Sequence, residues 1–215
     1  MENEHAKQRD KEQTKRKLLQ AVGDIIAEKG YAGLGVNKIA KVAGVDKKLI
    51  YRYFGDMNTL IETYILEKDY WLTFARKLQE SAEVQTPEMA ICLISSILER
   101  QLNFFYDHEE MQRIILEEIT KKNALLTSIS NIREKLGDSL LKLTDPHFEG
   151  SEVNFRAVGA LLVSGIYYLV LHAKTNGSTV SGIDINTESG KKEIIKTIHQ
   201  IIQWSFKAAK KKHQE

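Results

Sequence analysis

The chain has 215 residues, 42% of them hydrophobic, which is enough for one helical domain plus a small second one. A single cysteine, Cys92, excludes an internal disulfide and fits a reducing compartment. Net charge is +2 but uneven: residues 1–55 hold twelve basic and seven acidic side chains, +5, leaving −3 for the rest. A basic N-terminal end on a slightly acidic body suits phosphate binding, although an ordinary solvated surface would give the same count.

The opening stretch MENEHAKQRDKEQ is charged and has no apolar h-region, so no signal peptide is expected and the expected location is cytoplasmic. Residues 1–10 are expected to be disordered. A first helix is expected from Glu12 to Lys29, with Leu18, Leu19, Val22, Ile25 and Ile26 at helical spacing. Gly30 stands where a left-handed residue ends a helix.

Residues 36–54, VNKIAKVAGVDKKLIYRYF, carry the most information. Val36, Ile39 and Ala40 line one face of a short helix, and Gly44 follows four residues after Ala40. Val45, Ile50 and Tyr53 continue the apolar face on a second helix. Ala40 is small enough for that helix to cross closely, and Gly44 can take the positive φ that a tight turn needs. Asp46 is placed to cap the second helix. The spacing would also serve two amphipathic helices around a turn with no nucleic acid. Lys47, Lys48 and Arg52 on the outward face favour a helix-turn-helix that lays residues 47–53 in the major groove.

Asp56 is placed to cap a helix from 57 to 80 carrying Leu60, Ile61, Tyr64, Trp71, Ala75 and Leu78. Further helices are expected from Pro87 to Tyr106, from Asp107 or His108 to Thr120, and from Ala124 to Leu143. Two long ones follow, Glu152 to Lys174 and Glu188 to Lys211, joined by the polar loop TNGSTVSGIDINT. The segment AVGALLVSGIYYLVLHA, residues 157–173, is apolar nearly all round. Ser164 and His172 interrupt it, so a helix buried on all sides is expected and no membrane partner. Gly159, Ala160, Ser164 and Gly165 are small enough to admit a close neighbour. Ile194, Ile198, Ile201 and Ile202, with Ile195 and Ser205, form a matching stripe on the last helix. The fold class is all-α with about nine helices, divided into residues 1–56 and 57–215.

Residues 18–60 resemble the DNA-binding domain of the tetracycline-repressor (TetR) family of bacterial regulators. The resemblance is carried by Leu19, Ala21 and Ile25, Gly30-Tyr31, Val36, Ile39-Ala40, Ala43-Gly44-Val45, Tyr51, Tyr53-Phe54 and Leu60. Three places depart from the family pattern. Gly35 stands where Ser or Thr is usual, Lys48-Leu49 replace Gly-Thr or Gly-Ser, and Met57-Asn58 replace Lys-Glu. The resemblance implies a regulator, most often a repressor, that binds double-stranded DNA as a homodimer. It also implies that the last two helices pair with those of a second subunit, through Gly159, Ala160, Ser164, Gly165, Ile194, Ile198, Ile201 and Ile202.

By position, Lys47, Lys48, Leu49 and Tyr51 are the candidates to face bases. Arg52, Tyr53, Asn37 and Lys38 are the candidates to reach phosphates. Lys can donate to guanine N7 and O6, which makes Lys48 the specificity candidate, and Leu49 suits a thymine methyl. No catalytic constellation, cofactor motif or metal signature is found. The adjacent trio His108-Glu109-Glu110 diverges around a helix, and its acids suit a helix start. The middle helices carry Tyr70, Trp71, Phe74, Leu102, Phe105, Tyr106, Met111, Ile115, Tyr167 and Tyr168, with Ser95, Ser96, Glu99, Asn103 and Glu118 among them. This mixture is that of a core or of a small apolar or aromatic ligand's pocket, for which Trp71, Phe74, Glu99, Asn103, Tyr106, Ile115 and Tyr167 are the candidates. Two other readings stand beside the ligand-responsive regulator: a DNA-binding protein of this fold controlled by a protein partner, and a helical enzyme.

Overall fold

The computed structural model describes residues 2–71 and 86–210, with side chains from residue 8 onward. Among the described residues there are nine α-helices: α1 Glu2–Lys29, α2 Val36–Ala43, α3 Lys48–Phe54, α4 Met57–Lys68, α5 Pro87–Asp107, α6 Glu109–Thr120, α7 Ala124–Leu141, α8 Phe155–Asn176 and α9 Glu188–Lys210. Short 3-10 turns lie at Tyr31–Gly33 and Asp145–His147. The only β pairing among these residues is an isolated bridge, Val180 with Ile183.

The chain forms two compact units. The first is Met1–Thr73 with Glu109–Arg133, and the second is Phe74–His108 with Glu134–Glu215. The expected division at residue 56 falls inside the first unit, because α4 and α6 pack on α1 along with α2, and α3 packs on α4. Leu18, Ala21, Val22, Ile25 and Ile26 recur at steps of three and four, so one stripe of α1 buries against all three neighbours. Its partners include Ile39 and Ala40 of α2, Leu60, Ile61 and Tyr64 of α4, and Ile114 of α6. Each fully buried Leu or Ile contributes roughly 1.5–3 kcal/mol of transfer free energy.

Two helix limits differ from expectation. Helix α1 reaches back to Glu2 where disorder was expected over residues 1–10. Residues 2–11 are mostly Glu, Ala, Lys, Gln and Arg with no Gly or Pro, so nothing breaks a helix already nucleated further on. Helix α4 stops at Lys68, where a helix to residue 80 was expected, and the part of that helix from 72 on lies outside the described residues. Asp69 leaves the helix with an extended ψ of 130°. Its Oδ1 accepts from the Trp71 backbone N–H (2.9 Å) and its Oδ2 from Arg133 Nε of α7 (2.7 Å). Arg133 Nη1 also donates to Glu118 of α6 at 2.5 Å. These three side chains are largely buried, and the carboxylates raise the guanidinium pKa against the opposing effect of burial.

In the second unit α5 packs against α8 and α9. Pro87 opens α5 behind Thr86, whose Oγ1 accepts from Met89 N. Ala90, Ile97, Leu98, Leu102 and Phe105 meet Ile166 and Val170 of α8 and Ile198, Ile202 and Phe206 of α9 in one core. Phe148 stacks on Phe155 at 4.5 Å and meets Phe206 edge-on at 4.7 Å, fixing the loop between α7 and α8. Arg156 at the head of α8 donates to Asp138 and to both oxygens of Asp145. A Cβ at Gly190 would collide with the Asp184 carbonyl oxygen, so the start of α9 lies against its loop only because that residue has no side chain.

Candidate nucleic-acid interface

The turn between α2 and α3 is built by backbone hydrogen bonds. Gly44 sits at φ 66°, ψ 36°, the left-handed region, and donates to Lys41 O, while Val45 N donates to Ala40 O at 3.0 Å. This is the ending that a helix followed by a left-handed residue adopts, and it turns the chain within two residues. Asp46 Oδ1 then accepts from Lys48 N at 2.8 Å and satisfies an N–H at the start of α3. Helix α3 spans Lys48–Phe54, one residue later than expected, and ends at Gly55. Asp56 Oδ1 accepts from Thr59 N at 2.7 Å and caps α4 as anticipated; that bond, with further bonds around it, lowers the carboxyl pKa.

Helix α3 has one inward anchor, Ile50, which is fully buried. Leu49 and Tyr53 are half-buried, whereas Lys47, Lys48, Tyr51 and Arg52 are exposed. The Arg52 guanidinium lies 5.8 Å from the Tyr53 ring centroid, within cation–π reach. Asn37, exposed at the start of α2, accepts from Lys47 Nζ at 3.4 Å, so the two helix starts present their polar side chains together. Lys38 is half-buried and sits close to Lys29. Partial desolvation and then the Lys29 charge lower its pKa. Val42 of α2 is also exposed beside the turn. Neither Val42 nor Lys29 was a sequence candidate: Val42 belongs to no apolar stripe, and Lys29 meets Lys38 only through the fold.

The candidates for a ligand pocket are distributed differently. Ile115 is buried in the core of the first unit, and Trp71 is half-buried in the same unit. Phe74 lies outside the described residues. In the second unit Glu99 and Asn103 face α9, where they line an open groove of about 680 Å³ with Lys191, Lys196 and His199. His199 Nε2 is 3.2 Å from Glu99 Oε2 without hydrogen-bond alignment. The Tyr106 ring carries the ammonium groups of Lys174 and Lys191 at 3.4 and 3.8 Å from its centroid, and its hydroxyl donates to Asn186. Tyr167 is half-buried, edge-on to Phe105 at 4.8 Å.

The candidates for a subunit interface require two corrections. Helix α8 is not buried on all sides: only 17% of its most apolar stretch is buried, although it is long and apolar enough to cross a membrane. Leu161 is 75% exposed and Tyr168 60%, on a stripe that also carries Ala157, Ala160 and Ser164, with Gly165 at its flank. Gly159 instead faces Leu141, at 3.9 Å from where a Cβ would sit. On α9, Ile198 and Ile202 point into the subunit's own core at 4% and 0% exposure, so they are not available to a second copy. The open face of α9 carries Ile194, Ile201 and Trp204, the last 61% exposed and not among the sequence candidates.

Residues 18–64 match the family model described as bacterial regulatory proteins, tetR family. The probable HTH-type transcriptional regulator YttP of Bacillus subtilis (strain 168) is 28% identical over 118 residues, 54% of this chain and 55% of that protein. The alignment thus spans about half the length of the curated relative it matches. Solved structures extend the likeness in fold to most of the chain. The fatty acid degradation regulator FadR from Bacillus halodurans superposes with a TM-score of 0.63 at 19% identity, over 88% of this chain and 94% of that one. The transcriptional regulator FadR from Bacillus subtilis, solved in complex with stearoyl-CoA, gives 0.61 at 17% identity over 85% and 96%. A TetR family transcription regulator from Marinobacter aquaeolei VT8 gives 0.59 at 18% identity over 94% and 96%. The helix-turn-helix lies inside the segment that matches the tetR family of bacterial regulatory proteins, and the helical fold beyond it is similar to that of the solved regulators.

Proposed function

We propose that this protein is a cytoplasmic, ligand-responsive transcriptional repressor that binds a pseudo-palindromic operator as a homodimer. The observation that carries the reading is the outward face of α3. Lys47, Lys48, Tyr51 and Arg52 stand exposed around a single buried anchor, Ile50, with Asn37 and Lys38 beside them. Lys48 and Leu49 read base edges, and Arg52, Tyr53, Asn37 and Lys38 hold phosphates.

The homodimer forms through α8 and α9. An apolar stripe running from Ala157 through Leu161 to Tyr168 on α8, together with Trp204 of α9, is unusual on a surface that meets water. A second copy offers the same stripe in return, as a two-fold interface requires. The ligand acts by linkage: it binds better to the form of the dimer that fits DNA poorly. The Bacillus subtilis structure holds stearoyl-CoA, so long-chain acyl compounds are the first series to test. The bend at Asp69, held by Arg133, is the joint through which α4 moves.

The test is selection of duplexes from a random library by ligand-free protein, followed by titration over a range of salt. Binding falls steeply with salt as phosphates release counterions. Arg52→Ala weakens binding to selected and random duplexes alike, and Lys48→Ala narrows the gap between them. Absent or salt-independent binding would overturn the reading.

A further inference from the structure

The inward face of α5 is apolar along its length, with Ala90, Ile94, Ile97, Leu98 and Phe105 buried. Gln101 lies within that face and is 1% exposed, yet neither its Nε2 nor its Oε1 has a hydrogen-bond partner. One turn away on either side it has Ile97, Leu98, Phe104 and Phe105, none of which offers a polar side-chain atom. An amide carries two donors and an acceptor with two lone pairs, and burying it unanswered is costly, whereas an apolar side chain of similar shape there would carry no such cost. Thr144 and Ser205, also buried in this unit, answer themselves by donating to Leu141 O and Ile201 O. Ser95, the other buried polar side chain of α5 without a hydrogen-bond partner, lies six residues away and therefore about 120° around the helix. Among the described residues of this unit no Lys, Arg, Asp or Glu is buried.

We propose that Gln101 is the hydrogen-bonding contact of a small-molecule site within the second unit. The site takes an apolar molecule whose buried polar group is uncharged and offers both a donor and an acceptor, as an amide or a hydroxyl does. A carboxylate fits worse. It would set an acceptor against Oε1 and bring a charge into a wall that holds no buried cation. The inference rests on the ligand-responsive reading and names the chemistry of its ligand.

The full chain is titrated by calorimetry at pH 8 with decanamide, decanoate and undecan-2-one, which share an apolar body and differ at the head. Wild type is expected to bind decanamide about tenfold more tightly than either of the others, the scale of one buried hydrogen bond. Gln101→Leu is expected to bring decanamide and undecan-2-one within about twofold of each other, decanamide losing the more, while decanoate stays weak, and Gln101→Met to do the same. The ligand-free melting temperature of both variants should equal or exceed that of wild type. A preference for decanamide over undecan-2-one that survives in the variants, equal binding of decanoate by wild type, or a fall in melting temperature overturns the role of Gln101 and leaves a ligand site standing. Failure of all three probes to bind wild type removes the ligand-responsive reading and this inference with it.

Discussion

The first unit leaves a charged face uncovered and the second an apolar one. Lys47, Lys48 and Arg52 of α3 stand in water at little cost, and their free energy changes only when phosphates replace that water. Leu161, Tyr168 and Trp204 of α8 and α9 lose free energy for as long as they stay wet. The buried polar groups differ in the same way. In the first unit Arg133 is held by Asp69 through Nε and by Glu118 through Nη1, leaving only Nη2 unpaired, whereas in the second both polar atoms of the Gln101 amide have no partner. The contrast teaches where each unit would gain most from a partner: the reading face of the first from an anion, and the open face of α8 and α9 in the second from an apolar surface.

The largest effect should come from breaking the answered group. Arg133→Met leaves two buried carboxylates without a cation and is expected to destabilise the fold by about 3–5 kcal/mol, read from urea denaturation. Gln101→Leu, which removes an unanswered group, should cost nothing. Equal losses in the two variants would erase the distinction between the units.

Next in size is the apolar face. Leu161→Glu or Trp204→Glu is expected to weaken self-association by about 2–4 kcal/mol while leaving the monomer folded, measured by sedimentation equilibrium. Ile202→Ala, four residues after Ile198 on the inward side of α9, should do the reverse. It should lower fold stability by about 2–5 kcal/mol and leave the association of folded chains unchanged. On the charged face Lys48→Ala should cost about 1–3 kcal/mol on a selected duplex and much less on a random one, checked by fluorescence anisotropy.

The smallest effect is the acid response of the second unit. Hydrogen bonds from Lys142 and then Arg156 hold the Asp138 carboxyl below its usual 3.8. A carboxyl depressed in the folded state contributes stability above its unfolded value and loses it as pH falls through the folded one. The stability difference between wild type and Asp138→Asn should therefore be small but present at pH 6 and vanish at pH values below 3.8. A difference that grows on acidification would reverse the sign.

How far the sequence anticipates these features depends on how local their causes are. The turn is legible because Ala40, Gly44, Val45 and Asp46 set it among themselves. The cap at Asp56 is legible because its partner is Thr59. The break at Asp69 is not: no Gly or Pro marks it, and the guanidinium that recruits the carboxylate is 64 residues away. Tyr106 reads as a pocket aromatic until Lys174 and Lys191, far along the chain, are folded over its ring. The isoleucines of α9 show why spacing alone misassigns a face. Steps of three and four define a stripe wide enough to hold both the inward Ile198 and Ile202 and the outward Ile194 and Ile201. Only Trp204, outside the isoleucine run, marks which side is open.

One measurement joins the two open faces: the mass of the complex between ligand-free protein and a selected duplex, by analytical ultracentrifugation. The prediction is two 24.5 kDa chains per duplex for wild type, and for Leu161→Glu a loss of tight binding together with the loss of the dimer. A single wild-type chain per duplex, bound as tightly as the Leu161→Glu variant binds, would contradict the account, as would a wild-type dimer that selects no duplex.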